Sequence, residues 1–165
     1  EEDWQTLPKE RTRLKSVAAR EFNFQFAGDP ENLTQTLAVH GWRKAHPANW
    51  SWSILSLNPE PTEFTLPPLK RDYLGHADSL LLHRLGGDPL VQETLRIWDS
   101  GIRLKPSGQA VYLGLVANEA LVKRMVVFSY WSASPASTDD LNHLAGQLGG
   151  MQLQRPSDSM LLIMD

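Results

Sequence analysis

The residues best suited to bind a charged ligand lie in the segment ETLRIW, where Thr94, Arg96 and Trp98 alternate with apolar residues. Successive side chains of a strand point to opposite faces of a sheet. If Leu95 and Ile97 face the core, the other three side chains face outward. An outward arginine beside a tryptophan suits an anionic, partly apolar ligand such as a lipid headgroup, or a protein partner. The alternative is a solvated polar face on which the arginine stem covers apolar surface.

Further positive charge lies in two irregular segments that could extend this surface. Lys70 and Arg71 follow a proline-rich stretch, and Arg103 and Lys105 lie in a later loop. We add Arg71 to the predicted ligand-binding set.

Histidine and aspartate come close together at one point in the chain. His76 and Asp78 are two residues apart, with His83 nearby. A metal site needs three or four converging ligands, and only two are local here. The simpler interpretation is a histidine in a turn and an aspartate that caps a backbone group. We predict no metal site and no cofactor, and His76 and Asp78 are the residues that come nearest to one.

Length and composition describe one ordinary globular domain. The chain has 165 residues, and its net charge of −3 includes no basic cluster of the kind that nucleic-acid-binding proteins show. We therefore predict no nucleic-acid partner. The absence of cysteine excludes disulfides and thiolate metal sites. No apolar run approaches the roughly 20 residues that span a bilayer.

The first half of the chain contains a strand and a well-marked helix. Residues 21–27 predict a strand whose three phenylalanines, at every second position, share one face. Residues 30–40 predict a helix, because Asp29 suits its N-cap and Gly41 its left-handed C-terminal stop. Residues 42–46 could add a short strand.

The second half predicts antiparallel strands joined by short connections. The sequence GGDP joins two of them in a hairpin, and ANEALVK connects two others. A capped helix begins at the segment STDD, where a hydroxyl group and two acids favour a helix start. The predicted strands are 79–85, 90–98, 110–116, 124–131 and 160–164, with a loop at 99–108.

Together these elements predict an α+β fold in which an antiparallel (mixed) sheet carries a few helices packed on one face. Residues 1–20 form an extended lead-in, and residues 21–165 form a single domain. Residues 49–57 fit a strand or a helix equally well, and the prolines of 58–73 predict an irregular segment.

Four segments resemble the LssY C-terminal domain family in order and spacing. In such domains an LP..R lead-in precedes a strand that ends in Ala-Gly, and a helix that ends in Gly-Trp follows. An LRLW-like strand and a strand with Trp or Tyr before Leu-Gly come next. The matching segments are DWQTLPKERT, EFNFQFAGDPENLTQTLAVHGW, ETLRIWDSG and AVYLGLV, and the resemblance runs from about Asp3 to Trp131.

This resemblance implies a bacterial, membrane-associated context. Such domains commonly sit at the C-terminal end of inner-membrane proteins, beside a DedA-type membrane domain and a type-2 phosphatidic acid phosphatase domain. The resemblance thus implies attachment to the inner membrane through segments outside this sequence. It also implies that the partners are membrane domains of the same or a neighbouring protein, and it transfers no functional residues.

The motif of the neighbouring phosphatase is absent from this chain. Pro106, Ser107 and Gly108 resemble the start of its P-S-G-H signature, but Gln109 stands where the histidine is required. The G-x-S-x-G and phosphate-loop patterns are absent as well.

We therefore expect a non-enzymatic accessory domain of a bacterial membrane protein, which contacts a protein partner or an anionic lipid-like ligand. The alternative is an unrecognised hydrolase or transferase that acts on a phospholipid-type substrate. A convergent polar pocket would favour the enzyme, and an exposed apolar patch would favour the binding domain.

Overall fold

A sheet-rich fold organises the part of the chain that the structure describes. The computed structural model describes residues 10–12, 18–45, 68, 71–73, 75–124, 128–135, 137–157 and 160–165. Within these ranges the helices are α1 (Pro30–Ala38) and α2 (Thr138–Gln147). The strands are β1 (Glu10–Thr12), β2 (Ala18–Glu21), β3 (Phe24–Ala27), β4 (Arg43–Lys44), β5 (Asp72–Tyr73), β6 (His76–Ala77), β7 (Leu80–Leu85), β8 (Val91–Arg103), β9 (Ala110–Arg124), β10 (Phe128–Ala133), β11 (Gln152–Ser157) and β12 (Met160–Met164).

Eight of these strands form one mixed sheet, as the sequence predicted. Its order is β11-β12-β3-β9-β8-β7-β4, and β10 pairs with β9 beside that path. All neighbours run antiparallel except β12 and β3, which are parallel with Leu161 opposite Phe24. Two small hairpins, β1–β2 and β5–β6, lie outside this sheet. The described part of the chain contains more strand and less helix than an even α+β mixture. Residues 49–57 and most of 58–73 lie outside the described residues.

The central strands are longer than the sequence predicted. β9 runs without a break from Ala110 to Arg124, so the segment ANEALVK is strand and the predicted connection there is wrong. β8 likewise extends into the predicted loop, with a bulge between Asp99 and Arg103. Strand length is set here by partners on both sides, because β8 pairs along one edge of β9 while β3 and β10 share the other.

One side chain fills the gap between β3 and β10 on that shared edge. The Asn23 amide donates to the Val116 carbonyl at 2.7 Å and accepts from the Val116 amide at 2.9 Å. The side chain thereby replaces the two backbone hydrogen bonds that a strand residue would make. Because the chain is not in a strand at residues 22–23, Phe22 lies in a different core from Phe24 and Phe26. The prediction that all three share one face is wrong.

Helix α1 is confirmed, with its predicted cap. The Asp29 carboxylate accepts from the Glu31 amide at 2.9 Å. At the other end Gly41 has φ +87°, and the Trp42 amide donates to the Leu37 carbonyl at 3.3 Å. This 6→1 bond is the usual closure for a helix that ends in a left-handed glycine.

Helix α2 is also confirmed and begins with a capping box. The Ser137 hydroxyl accepts from the Asp140 amide at 3.1 Å, and the Asp140 carboxylate accepts from the Ser137 amide at 3.2 Å. Neither described helix has the length and apolar composition needed to cross a bilayer.

Both faces of the central sheet are covered, which gives the molecule two cores. On one face, here called the helix face, Leu95 and Ile97 pack with residues of α1 and α2. On the other, here called the network face, Trp98 packs with Phe22 and Tyr73. The two described helices therefore share one face, as predicted.

On the helix face the Phe24 ring lies so close to β9 that the strand requires a glycine there. A Cβ atom at Gly114 would lie 2.2 Å from the ring of Phe24, which is fully buried. The glycine of the strand AVYLGLV thus has a packing explanation.

Candidate functional site

The network face holds a buried cluster of charges centred on Arg96. Its guanidinium donates to Asp78 at 3.0 Å and to Glu119 at 3.2 Å. The side chains of all three residues are at most 1% exposed. Burial of charge on this scale is tolerated only with paired and hydrogen-bonded partners, and Arg96 has two carboxylates.

Two further residues complete this group. Arg71 donates to the same Glu119 oxygen at 2.8 Å, and Gln92 donates to the second oxygen at 3.3 Å. The five residues are here called the buried network: Arg71, Asp78, Gln92, Arg96 and Glu119. Its two guanidinium groups face two carboxylates, so an anionic ligand would have to displace one of the acids.

The structure brings the predicted ligand-binding residues together, but it buries them. Arg71 and Arg96 share one carboxylate, and the Trp98 indole donates to the Arg71 carbonyl at 2.9 Å. The Thr94 hydroxyl donates to the Ala117 carbonyl at 3.3 Å. Thr94, Arg96 and Trp98 do share the face opposite Leu95, as predicted.

The prediction that these side chains face outward is wrong. Thr94, Arg96 and Trp98 are 2% exposed or less. Phe22 packs edge-on against Trp98 and against Tyr73, with ring centroids 5.6 and 5.2 Å apart. Burial raises the pKa of the Tyr73 hydroxyl. These covering groups come from segments remote from β8, so strand alternation alone could not reveal them.

The histidine and aspartate considered for a metal have separate environments. Asp78 is buried and bound to Arg96, whereas His76 is exposed on β6. Among the described residues no three histidine, aspartate or glutamate side chains lie close enough to share a metal ion.

The basic residues of the later loop do not join the buried network. Arg103 pairs with Asp99 at 3.1 Å near the bulge of β8, and its hydrogen bond lowers the pKa of the Asp99 carboxyl. Lys105 is exposed in the turn that follows β8. Lys70 lies outside the described residues.

A second polar cluster lies on the helix face, where side chains of α2 meet side chains of β7 and β8. Arg84 binds Glu93 through two nitrogens at 2.9 and 2.6 Å, and His143 approaches the other Glu93 oxygen at 3.0 Å. Gln147 lies 3.0 Å from His143 and accepts from the Trp42 indole at 2.7 Å. These five residues are here called the α2 cluster.

Sequence reasoning missed this cluster, although one local signal was available. His143 and Gln147 are four residues apart and flank the apolar stripe of α2, where polar side chains meet the rim of a sheet. Their partners on β7, β8 and after α1 could not be assigned from that signal.

A third feature is an exposed apolar end of the sheet. Leu85 and Leu90 flank the β7–β8 turn and are 37% and 49% exposed. Leu85 is paired with Gln92 and so lies on the network face. Leu85 and Leu90 are here called the hairpin end.

Comparison with known families agrees with the segment resemblance. A family model described as LssY C-terminus matches residues 4–129. No curated protein and no solved structure matches the chain.

Proposed function

We propose that this chain, which belongs to the LssY C-terminus family, is a non-enzymatic accessory domain of a bacterial membrane protein. In this proposal it docks on an anionic membrane surface through the hairpin end. The observation that carries the proposal is the group of exposed aliphatic side chains at that end. Large exposed apolar side chains grouped at one site are typical of interaction surfaces.

The charges around the hairpin end suit an anionic surface. Arg43 lies on β4 opposite His83, and Lys123 lies two residues beyond Leu121, whose amide donates to the Leu90 carbonyl. Arg43 and Lys123 are exposed. The one acid within the β7–β8 turn is Asp88, whose carboxylate accepts from the Leu90 amide at 2.8 Å.

The expected affinity is low for the isolated domain. Burying the exposed part of each leucine contributes roughly 1 kcal/mol. Each basic side chain near an anionic surface adds about 1 kcal/mol. A total of about 4 kcal/mol corresponds to a dissociation constant of about 1 mM. Such binding becomes effective when the domain is tethered, and attachment to membrane segments would supply a high local concentration.

The buried network supports a binding role for the surface rather than for the sheet interior. Arg71 and Arg96 are already neutralised by Glu119 and Asp78. A lipid phosphate would find no unneutralised guanidinium within the buried network. The basic residues Arg43 and Lys123 are exposed beside the hairpin end.

An enzyme acting on a phospholipid-type substrate is the second candidate, and one observation favours it. Glu93 lies 3.0 Å from His143, an arrangement that orients imidazole for general-base catalysis. It ranks second because the other nitrogen of His143 is already 3.0 Å from the Gln147 amide. Release of phosphate or fatty acid from phospholipid vesicles, lost in His143→Gln, would favour it.

Vesicle co-sedimentation tests the docking proposal. The domain is mixed with zwitterionic vesicles, vesicles containing phosphatidylglycerol, and vesicles doped with polyprenyl phosphate, at millimolar lipid and at low and moderate salt. We expect selective capture by the anionic vesicles that weakens as salt rises. Capture by none of the vesicles would overturn the lipid proposal and leave a protein segment as the better partner.

Paired variants locate the surface. Replacing Leu85 and Leu90 together by Ser should weaken capture roughly thirtyfold, because each leucine contributes roughly 1 kcal/mol. Leu153→Ser is the matched control, because Leu153 is also 37% exposed but lies on β11, at the opposite edge of the sheet. For charge, Arg43→Gln should weaken capture, and Lys105→Gln, at the other end of β8, should not. Equal loss in the control variants would contradict docking through the hairpin end.

A further inference from the structure

The α2 cluster is a hydrogen-bond chain with a defined direction. The Trp42 indole nitrogen is a donor only, so the Gln147 group it meets at 2.7 Å must be the carbonyl oxygen. The amide nitrogen of Gln147 then points at Nε2 of His143, at 3.0 Å. Because an amide nitrogen only donates, Nε2 of His143 must accept.

The hydrogen bond from Gln147 determines which ring nitrogen of His143 carries the single proton of the neutral imidazole. A neutral imidazole carries one proton, and with Nε2 accepting, that proton is on Nδ1. Nδ1 of His143 lies 3.0 Å from Glu93, a carboxylate that accepts. Trp42 thus fixes the tautomer of His143 through Gln147, although Trp42 and Gln147 are 105 residues apart in the chain.

We infer that the α2 cluster is a proton-sensitive latch in which protonation of His143 at Nε2 releases the indole of Trp42. A proton on Nε2 sets two donors, imidazolium and amide, against each other. Gln147 relieves this conflict by turning its oxygen toward His143. The Gln147 amide N–H groups then face the Trp42 indole N–H, which loses its acceptor. Trp42 is only 3% exposed, so water does not readily replace that acceptor.

The charges that face His143 come from several elements and oppose one another. Glu93 on β8 attracts the imidazolium. An Arg84 nitrogen on β7 lies 3.1 and 3.2 Å from the two ring nitrogens, which places it above the ring, where it repels the imidazolium. Asp140, one turn earlier on α2, is bound to Asn118 at 2.7 Å. Whatever the balance of these charges, the order of hydrogen bonds must reverse when Nε2 gains a proton.

This latch connects an accessible group to the core. The His143 side chain is 50% exposed, whereas the Trp42 ring packs in the helix-face core and its backbone amide closes α1. Arg84 lies over the Trp42 ring, with its guanidinium carbon 5.6 Å from the ring centroid. The latch goes beyond the proposed docking and does not depend on it.

Nitrogen-15 NMR of the whole chain tests the latch directly. At pH 8, long-range spectra of His143 should show a protonated Nδ1 and a bare Nε2. As the pH falls toward 5, the Trp42 indole signal should shift along the same curve as His143. The exchange rate of the indole proton should rise roughly tenfold, as expected for one lost hydrogen bond.

Three variants separate the latch from general acid effects. His143→Gln keeps an amide in place of the imidazole and should abolish the Trp42 response to pH. Gln147→Met should leave His143 titrating while the Trp42 signal stays constant. His40→Gln removes another exposed histidine, at the end of α1, and should leave the response unchanged.

The opposite results would overturn the inference. A protonated Nε2 at pH 8 contradicts the direction of the chain. A Trp42 signal that stays constant while His143 titrates contradicts the coupling. A Trp42 response that persists in His143→Gln assigns it to another group.

Discussion

The buried network and the α2 cluster use the same kinds of residues on opposite faces of one sheet, with different consequences. In the buried network the Arg96 and Glu119 side chains are both 1% exposed. In the α2 cluster Arg84 and Glu93 are 21% and 20% exposed. An arginine–glutamate pair therefore makes no fixed contribution to the stability of the fold, because that contribution depends on how far water is excluded from the pair.

Because the network is buried, the loss of any one charged member strongly destabilises the others. Losing one member leaves a partner charge in a low-dielectric interior, which is far more costly than the pair was favourable. Water still reaches the α2 cluster, so its charges are screened. The first arrangement suits a fixed structural role, and the second suits a response to conditions.

The largest expected effect is on the free energy of unfolding, and it distinguishes Arg96 from Arg84. Arg96→Met should lower the free energy of unfolding by about 3–5 kcal/mol, because Asp78 and Glu119 lose their shared cation. Arg84→Met should cost about 1 kcal/mol or less, since Glu93 remains partly hydrated. Urea unfolding at pH 7 measures both.

The slope of the urea transition is the control for this pair. Equal m-values across the variants show that the midpoints report stability rather than a changed unfolded state. Equal losses for Arg84→Met and Arg96→Met would break the comparison, since burial would then not be the deciding factor. Combining Arg96→Met with Asp78→Leu should recover part of the loss, because the uncompensated acid is removed.

A smaller effect tests whether the helix face depends on close packing. Gly114→Ala should destabilise the fold by about 1–3 kcal/mol, because its methyl group would overlap the buried Phe24 ring. Gly146→Ala makes the same chemical change on α2, where no atom lies within 4 Å of the added carbon. It should stabilise the fold by about 0.5–1 kcal/mol through helix propensity. Thermal unfolding of both variants gives the sign, and destabilisation of similar size in both would contradict the packing argument.

The smallest expected effect concerns the exposed pair of Asp99 and Arg103. The Arg103 hydrogen bond lowers the pKa of Asp99 in the folded state, so the pair stabilises the fold above the unfolded carboxyl pKa of about 3.9. That stability is lost as the pH falls through the lower folded value. Asp99→Asn should therefore differ slightly from the parent at pH 6 and converge with it near pH 2. A difference that grows on acidification would contradict this sign.

Much of the fold could be predicted because its signals are local. Asp29 and Gly41 mark the ends of α1, and the sequence GGDP marks the β7–β8 turn, each within a few residues. The length of β9 could not be predicted in the same way. Its polar segment ANEALVK is strand because β8 and β10 pair with it from both sides.

The candidate sites were predictable only in part. Alternation along β8 correctly placed Arg96 and Trp98 on one face, and Arg71 lies beside them. Alternation does not say whether a face is covered. Asp78 and Glu119, the partners of Arg96, are 18 and 23 residues away along the chain.

The sequence by itself determined the caps, the tight turn, the strand alternation and the family, because each depends on neighbouring residues or on a continuous pattern. Tertiary structure alone decided that the network face is closed, that its two arginines are neutralised, and that His143 is joined to Trp42. The physical reason is that burial and charge pairing are properties of segments that meet in space. No local pattern records the dielectric surroundings that such a meeting creates.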